Sequence, residues 1–563
     1  MKRNLLFVIP VLLACLIVLG HSSPEQKKEA ELRIKSEKVD ALFKQWDIGE
    51  KPGASVAVVY NGRMVYSNGF GQANLEYNIP NTSETIYHIA SISKQFTVYA
   101  ILLLEQQGKL SIDDDIRDYI PEVPDFGHVI TLRHLANHTS GMRDQWNLLG
   151  MAGWRLDDVI TKEHILRYTG RQQELNFLPG EQYLYSNTGF TLLGEVAARV
   201  SGMSFNEFAI KNIFEPLGME KTFFYDDHEK IVPNRAYSYY SDRNNSYRKR
   251  VLSYANAGAT SLFTTVEDLS RWAIFMNRPD SEKTPLVKAM NEKATLNNGD
   301  TFGGALGQFV DEHKGLNRIQ HGGSDAGYRT FFGRFPDHDF AVIVFSNYAS
   351  FNPARYAMQI ADIYLDDYLD STGPEPLYDE NDYLTFDPDH LKQFEGHYVN
   401  HHNAATRNFI IRDGILLYST GNLSVPLIPV EKDLFHLPGT QATVRFSNHY
   451  GEMKAEVQPS QVPAEFVREI PVDYREEELK KFTGYYFSDE LQTTYSVVLE
   501  EGKLIARHLR TGDINLTPVS ENLFRGDTWH INRITFEEVD GSITGFRASS
   551  GRVWNLLFER ISD

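Results

Sequence analysis

A serine three residues ahead of a lysine, Ser91-Ile92-Ser93-Lys94, stands where a loop gives way to a long apolar stretch. On a helix, the i, i+3 spacing puts both side chains on one face, so the amine can reach the hydroxyl and take its proton, as an activated nucleophile requires. A helix start adds positive dipole beside the oxygen. The pattern is short. Ser246-Tyr-Arg-Lys249 repeats it in a polar loop without an apolar helix behind it, and a serine at such a place can equally be a helix N-cap ahead of a solvated lysine. Two further groups accompany Ser91: Tyr185-Ser186-Asn187, and His321-Gly322-Gly323 on an expected strand. Both have counterparts elsewhere, Tyr66-x-Asn68, Tyr254-x-Asn256 and Tyr398-x-Asn400 for the first, His313-x-Gly315 and His449-x-Gly451 for the second. Position in the chain sorts most of these, Tyr254 being the hardest to set aside. Taken alone, Tyr185 reads as a core aromatic and His321 as a satisfied surface histidine.

The elements that must hold these residues are legible from periodicity. Charged sequence from about Glu25 to Asp47, with apolar residues at helical spacing, predicts an amphipathic leading helix. Ala54 to Tyr60, Asn61-Gly62 and Met64 to Tyr66 predict a β-hairpin, because Asn-Gly supplies the positive φ angles of a tight turn. A long apolar helix follows over Lys94 to Gln107, stopped by Gly108. Strands return as Ala305 to Val310, Arg318 to Gly322, Tyr328 to Phe335 and Ala341 to Ser346, and a helix over Asn352 to Tyr368 closes the region. A hairpin at one end and a meander at the other imply an α/β domain whose antiparallel sheet is assembled from both ends of its sequence. With sheet and closing helix complete, residues up to about 372 are expected to fold alone.

Beyond Ser371-Thr-Gly-Pro374 the sequence repeats itself. Leu391-Lys-Gln-Phe394-Glu-Gly396-His-Tyr398 recurs as Leu479-Lys-Lys-Phe482-Thr-Gly484-Tyr-Tyr486, displaced by 88 residues. Gly414 matches Gly502 at the same displacement, and Phe446 with Gly451 match Phe536 with Gly541 at 90. Each copy reads as short strands with frequent turns, which suits a small antiparallel barrel or sandwich. The expected organisation is a leader over 1–22, a catalytic domain over 25–375, and two β domains over 385–468 and 474–563.

Composition narrows the function. Fifty-six Lys and Arg stand against 75 Asp and Glu, a formal charge of −19, so nucleic acid is an improbable partner. The one cysteine, Cys15, allows neither an intramolecular disulfide nor a cysteine-based metal site, no His-Glu-x-x-His occurs, and no metal or other cofactor is expected. Lys2 and Arg3 ahead of the apolar run Leu5 to Gly20 have the order of a secretory signal removed near residue 22, which places the protein outside the cell or in the periplasm. The alternatives are an uncleaved anchor, against which Pro10 and the shortness of the run count, and a lipid on Cys15.

Ser91-x-x-Lys94, Tyr185-x-Asn187 and His321-Gly322-Gly323, in that order, resemble the three active-site motifs of the serine hydrolases related to class C β-lactamases, D-Ala-D-Ala carboxypeptidases, D-aminopeptidases and esterases. His138-Thr-Ser-Gly141-Met142, Pro216-Leu-Gly-Met219 and Ala257-Gly-Ala-Thr-Ser-Leu262 are similar to scaffold segments of that family. The resemblance spans roughly residues 35 to 370 and implies a β-lactamase/transpeptidase-like fold; the two β repeats resemble the paired barrels of the family's D-aminopeptidases and, if so, lean over the active site. It implies Ser91 as nucleophile, Lys94 and Tyr185 as the proton-transfer pair, Asn187 on the substrate amide, the N–H groups of Ser91 and Ser324 as oxyanion hole, and His321, Gly322 and Gly323 along the substrate. The implied substrate is a small peptide, amide or ester, possible cell-wall fragments included. The departure is His321, where β-lactamases of this class usually carry lysine. A histidine of ordinary pKa is only partly charged at neutrality, which weighs against β-lactam hydrolysis while leaving the imidazolium to bind a carboxylate at lower pH. A true β-lactamase and a catalytically idle penicillin- or peptidoglycan-binding protein are the alternatives.

Overall fold

The computed structural model describes residues 24–47, 50–253, 255–280, 282–370, 384–401, 405–420, 423–438, 442–449, 451–458, 465–470 and 472–562. The leader, Cys15, Tyr254 and the Pro-containing stretch 371–383 lie outside the described residues. No helix among the described residues is long and apolar enough to cross a membrane.

After helix α1 (Pro24–Phe43) comes the expected hairpin, β1 (Ala54–Tyr60) and β2 (Arg63–Phe70), and later helices α2 (Ser93–Gln106) and α3 (Asn187–Ser201). The meander is β3 (Gly304–Ala305), β4 (Gln308–His313), β5 (Leu316–Asp325), β6 (Tyr328–Phe335) and β7 (Phe340–Ser346), followed by α4 (Pro353–Tyr364). The expected single strand Ala305 to Val310 is broken, because Gly307 turns at φ +70° and separates β3 from β4. The seven strands form one antiparallel sheet in the order β3-β4-β5-β6-β7-β1-β2. Pairing of Ala54 with Ser346 through Tyr60 with Phe340 joins the two ends of the sequence, as the hairpin-plus-meander pattern requires.

β1 and β7 are apolar on both faces because both faces are covered. Val56 and Val58, with Val342 and Val344, pack against Val39 and Phe43 of α1 and Ile360 and Tyr364 of α4. The alternate residues Ala57, Val59, Ile343 and Phe345 belong to the large core that includes Phe96 and Val98 of α2. Period-two alternation between two helical layers explains the unbroken hydrophobic runs.

The repeat is structural as well. In the second copy eight strands, from Gly484–Ser488 to Leu556–Ser562, form a closed barrel. In the first copy the strand equivalent to Gly512–Ser520 is split into Leu423–Pro426 and Ile428–Pro429, so the same barrel is open at Leu427 while its first and last strands still pair. The repeated tyrosine does the same work in each: Tyr398 Oη donates to Phe394 O at 3.0 Å, Tyr486 Oη to Phe482 O at 2.8 Å.

The second barrel is docked on the catalytic domain. Leu148, Met151 and Ala152 lie in one apolar cluster with the barrel residues Tyr486, Tyr495 and Phe558, and Tyr495 Oη donates to Met151 O at 3.0 Å. Arg143, buried, pairs with the buried carboxylate of Glu490 and donates to Trp554 O at 3.1 Å. Removing the barrel takes away this partner and uncovers the apolar surface of Leu148, Met151 and Ala152. Residues up to about 372 by themselves lack this ion pair and apolar interface, both supplied from residue 474 onward.

Candidate active site

Ser91 sits in a single 3-10 turn, Ala90–Ile92, that leads straight into α2. Ala90 holds φ at +50°, an unfavourable conformation for a residue with a Cβ. Its neighbours hold the turn: Ile89 N–H donates to Leu262 O at 2.9 Å, Thr330 Oγ1 donates to Ile89 O at 3.0 Å, and Ser93 Oγ donates to Ala90 O at 2.5 Å. Strand β5 passes close behind. A Cβ on Gly323 would lie 2.1 Å from Thr330 Oγ1 and 2.3 Å from Ile89 O, whereas one on Gly322 would meet nothing closer than 3.8 Å. Gly323 is thus demanded by the approach of the strand to the nucleophile turn, and Gly322 is not.

Lys94 is fully buried one turn into α2. Its Nζ is 3.2 Å from Ser91 Oγ and donates to Asn187 Oδ1 and to Ala259 O, both at 2.8 Å. Burial lowers its pKa to about 7; the buried Asp144 carboxylate pulls upward and the Arg552 guanidinium pushes down. A substantial neutral fraction near pH 7 leaves Lys94 able to accept the Ser91 proton. Tyr185 shifts the other way: burial raises its pKa far above the ordinary phenol, while the nearby Ser91 hydroxyl and the Arg552 cation pull it back. It stays a phenol, able to give a proton to a leaving group. Lys94 Nζ lies 4.8 Å from the centre of the Tyr185 ring, and His138 stacks on that ring at 4.1 Å. His138 Nδ1 accepts the Ser186 N–H at 3.1 Å, which fixes the segment carrying Tyr185 and Asn187.

Asn187 opens α3 and is clamped at both ends of its amide. Asp144 Oδ2 accepts from its backbone N–H at 2.6 Å and from Nδ2 at 2.8 Å, which leaves one amide hydrogen for a substrate. His321 and Ser324 lie on β5 beside the same cavity. Ser91, Tyr185, Asn187, His321, Gly322, Gly323 and Ser324 all line one cleft of about 640 Å³, with Lys94 beneath it. Every residue read from the sequence as part of the site is therefore brought together.

The expected charge on His321 is not. The side chain is buried, its ring 5.3 Å from Phe309, and burial together with the Lys94 charge lowers its pKa to about 3. Its Nδ1–H donates to Gly322 O at 2.6 Å, so Nε2 is left as an acceptor. His321 is neutral across the working range and cannot bind a carboxylate as imidazolium.

The cations of the cleft are Arg329 and Arg552. Arg552 comes from the second barrel and lies 4.7 Å above the Tyr185 ring, and Trp529 of the same barrel lines the cleft. Sequence reasoning missed both, together with Asp144. Asp144 lies two residues beyond the His138-to-Met142 segment, but Arg552 carries no motif that ties it to Ser91.

Most counterparts of the motifs lie elsewhere in the structure. Lys249 is exposed on a short surface strand, Tyr66 Oη donates to Asp40 at 2.7 Å, His313 pairs with Asp362 at 2.7 Å, and Tyr398 belongs to the first barrel's core. Asn256 is buried and accepts from Thr191 Oγ1 at 3.2 Å, whereas Lys94 Nζ donates to Asn187.

A buried base 3.2 Å from a serine on a strained turn, with a protonated tyrosine opposite, is the constellation the three motifs implied. A sequence profile of the Beta-lactamase family matches residues 39–365, more than half of the chain. The chain belongs to the β-lactamase family. It is similar to penicillin-binding protein 4* of Bacillus subtilis, 26% identical over 71% of this chain and 91% of that protein. It is also similar to the D-aminopeptidase of Gluconobacter oxydans, 27% identical over 53% of this chain and 56% of that one. The solved structure of the octameric penicillin-binding protein homologue from Pyrococcus abyssi superposes on 78% of this chain and 99% of its own at TM-score 0.53 and 25% identity. The β-lactamase/transpeptidase-like fold followed by barrel-like β domains is thus that of the family, and the chain is a serine hydrolase of the β-lactamase family.

Proposed function

We propose that the protein is an exported acyl-transfer hydrolase that cleaves a small peptide, amide or ester through an acyl-enzyme on Ser91. The observation that carries this reading is the contact of Lys94 Nζ with Ser91 Oγ at 3.2 Å, in a cleft where burial brings the amine to about neutrality. Lys94 takes the Ser91 proton as Oγ bonds to the substrate carbonyl, and the N–H groups of Ser91 and Ser324 receive the oxyanion. As the bond to the leaving group breaks, Tyr185 protonates it and is itself reprotonated from Lys94. Water then attacks the ester along the reverse route, its proton passing to the same pair and another returning to Ser91.

Arg552 above Tyr185 stands on the leaving-group side and supports a leaving group that carries a carboxylate, as a peptide's C-terminal residue does. This favours a peptidase over a simple esterase, and a neutral His321 speaks against efficient β-lactam turnover. With every proton-transfer group in reach, an idle binding protein is the weaker reading. Export rests on the leader sequence of residues 1–22.

Intact-mass detection of an acyl adduct after exposure to a D-Ala p-nitroanilide, a small p-nitrophenyl ester and nitrocefin tests the proposal. An adduct that forms and decays with the first two, and is lost in Ser91→Ala, is expected. Rapid turnover of nitrocefin alone, or no adduct with any of the three, overturns it.

A further inference from the structure

A second cavity, of about 720 Å³, opens beside the catalytic cleft and shares Leu156, Ser324, Asp325 and Trp529 with it. Its walls come from the catalytic domain, with Trp154, Tyr240, Lys249 and Arg250, and from the second barrel, with Arg510 and His530. The two cavities meet at Ser324, the oxyanion donor. The second contains neither Tyr185 nor Arg552, the residues that face the leaving group, so a substrate reaching it from Ser91 must extend its acyl part past Ser324.

Its charge is unbalanced. The chain as a whole is strongly acidic at −19, yet the cavity carries Arg155, Lys249, Arg250 and Arg510 against Asp157 and Asp325. Arg155 is paired with Asp157 at 3.4 Å and Arg510 with Asp158 at 2.7 Å, while Lys249 reaches Glu76 only at 3.8 Å. Arg250 stacks on Tyr240 at 5.2 Å and has no carboxylate partner among the described residues. Arg329, on the catalytic side of the boundary, is half-buried, donates to the carbonyls of Ala326 and Tyr328, and feels the Arg250 charge as a repulsion that the nearby Asp325 carboxylate opposes. Arg250, without a carboxylate partner among the described residues and repelled by Arg329 across a cavity mouth, is stabilised when an anion lies beside it. His530 in the same wall is 6% exposed, with both ring nitrogens buried and without a hydrogen-bond partner among the described residues.

We propose that this cavity is the distal acyl subsite of the Ser91 hydrolase and takes a carboxylate at the far end of the substrate's acyl chain, held by Arg250 with Arg329 at the mouth and covered by Trp154 and Trp529. It rests on the acyl-enzyme reading for its orientation, and is tested apart from turnover. Arg250 is exposed and anchored by its backbone to Ser238, so Arg250→Gln leaves the fold intact.

Ser91→Ala protein is titrated with straight-chain dicarboxylates of about four to eight carbons and with their mono-carboxamides, and tryptophan fluorescence is followed. Saturable binding of at least one diacid, about tenfold tighter than its mono-amide and reduced to the amide's level by Arg250→Gln, is expected. Binding of a diacid that Arg250→Gln does not weaken, or no saturable binding, overturns the subsite. Wild-type enzyme is then assayed with the p-nitrophenyl half-esters of the same diacids beside their terminal amides. A kcat/KM preference of about tenfold for an acid-ended chain, lost through KM in Arg250→Gln while the amide-ended chain is unaffected, is expected. Diacid binding without hydrolysis of any ester refutes the hydrolase reading and leaves the anion site standing. Hydrolysis without acid preference refutes the subsite alone.

Discussion

Replacing Arg552 with Gln tests whether the second barrel tunes the catalytic base. Lys94 Nζ lies 4.8 Å from the centre of the Tyr185 ring and the Arg552 guanidinium carbon 4.7 Å from the same point, so the two cations are within about 10 Å of each other. At an effective dielectric constant of about 20, two unit charges at that separation repel by about 1.7 kcal/mol, or roughly one pK unit. Removing the Arg552 charge raises the Lys94 pKa from about 7 towards 8, because one of the two influences that depress it is gone while Asp144 and Asp325 still pull upward. The neutral amine is the active form, so the rising limb of kcat/KM against pH moves to higher pH by about one unit. With a neutral p-nitrophenyl ester, which makes no demand on Arg552 as a carboxylate ligand, activity at pH 6 falls about tenfold and converges with wild type near pH 9. Arg552→Lys keeps the charge and holds the wild-type midpoint. A midpoint unmoved in Arg552→Gln, or moved equally in Arg552→Lys, refutes the electrostatic link between barrel and base.

Three other outcomes follow from the same geometry. Gly323→Ala abolishes acylation, since its Cβ would sit 2.1 Å from Thr330 Oγ1 and 2.3 Å from Ile89 O and displace the nucleophile turn; Gly322→Ala retains most activity, and stopped-flow acylation of the pair separates them. Glu490→Gln lowers stability by several kcal/mol through the loss of the Arg143 partner, and deletion from residue 474 onward lowers it further, as read by urea denaturation. Lys94 binds its proton more weakly in the native state than in the unfolded chain, where its pKa is about 10.4, so between about pH 7 and 10 this group makes stability rise with pH. Lys94→Met removes that slope, up to about 1.4 kcal/mol per pH unit, and a denaturation series across the window in which the variant keeps the wild-type slope would count against the buried-amine assignment.

The chemistry-bearing residues were legible in the sequence because they sit on short local motifs. Ser91 and Lys94 are one helical turn apart, Tyr185 and Asn187 mark the start of a helix, and His321 to Gly323 lie on a strand, so spacing alone carries their mutual orientation within each segment. The Asn61-Gly62 turn and the apolar strands of the sheet were legible for the same reason, each being a period or a turn confined to a few residues. The doubled barrel was readable because it is written twice, at a displacement of 88 residues. Tertiary structure alone decided the charge of His321: a histidine's type gives its ordinary pKa, but only the packing of Phe309 and the nearness of Lys94 remove water and add a competing cation. It also decided that Arg552 and Trp529, more than 400 residues from Ser91, wall the cleft, and that Arg143 and Glu490 are one buried pair. Contacts between domains depend on the relative placement of whole folded surfaces, and no local period or spacing in the chain encodes that placement.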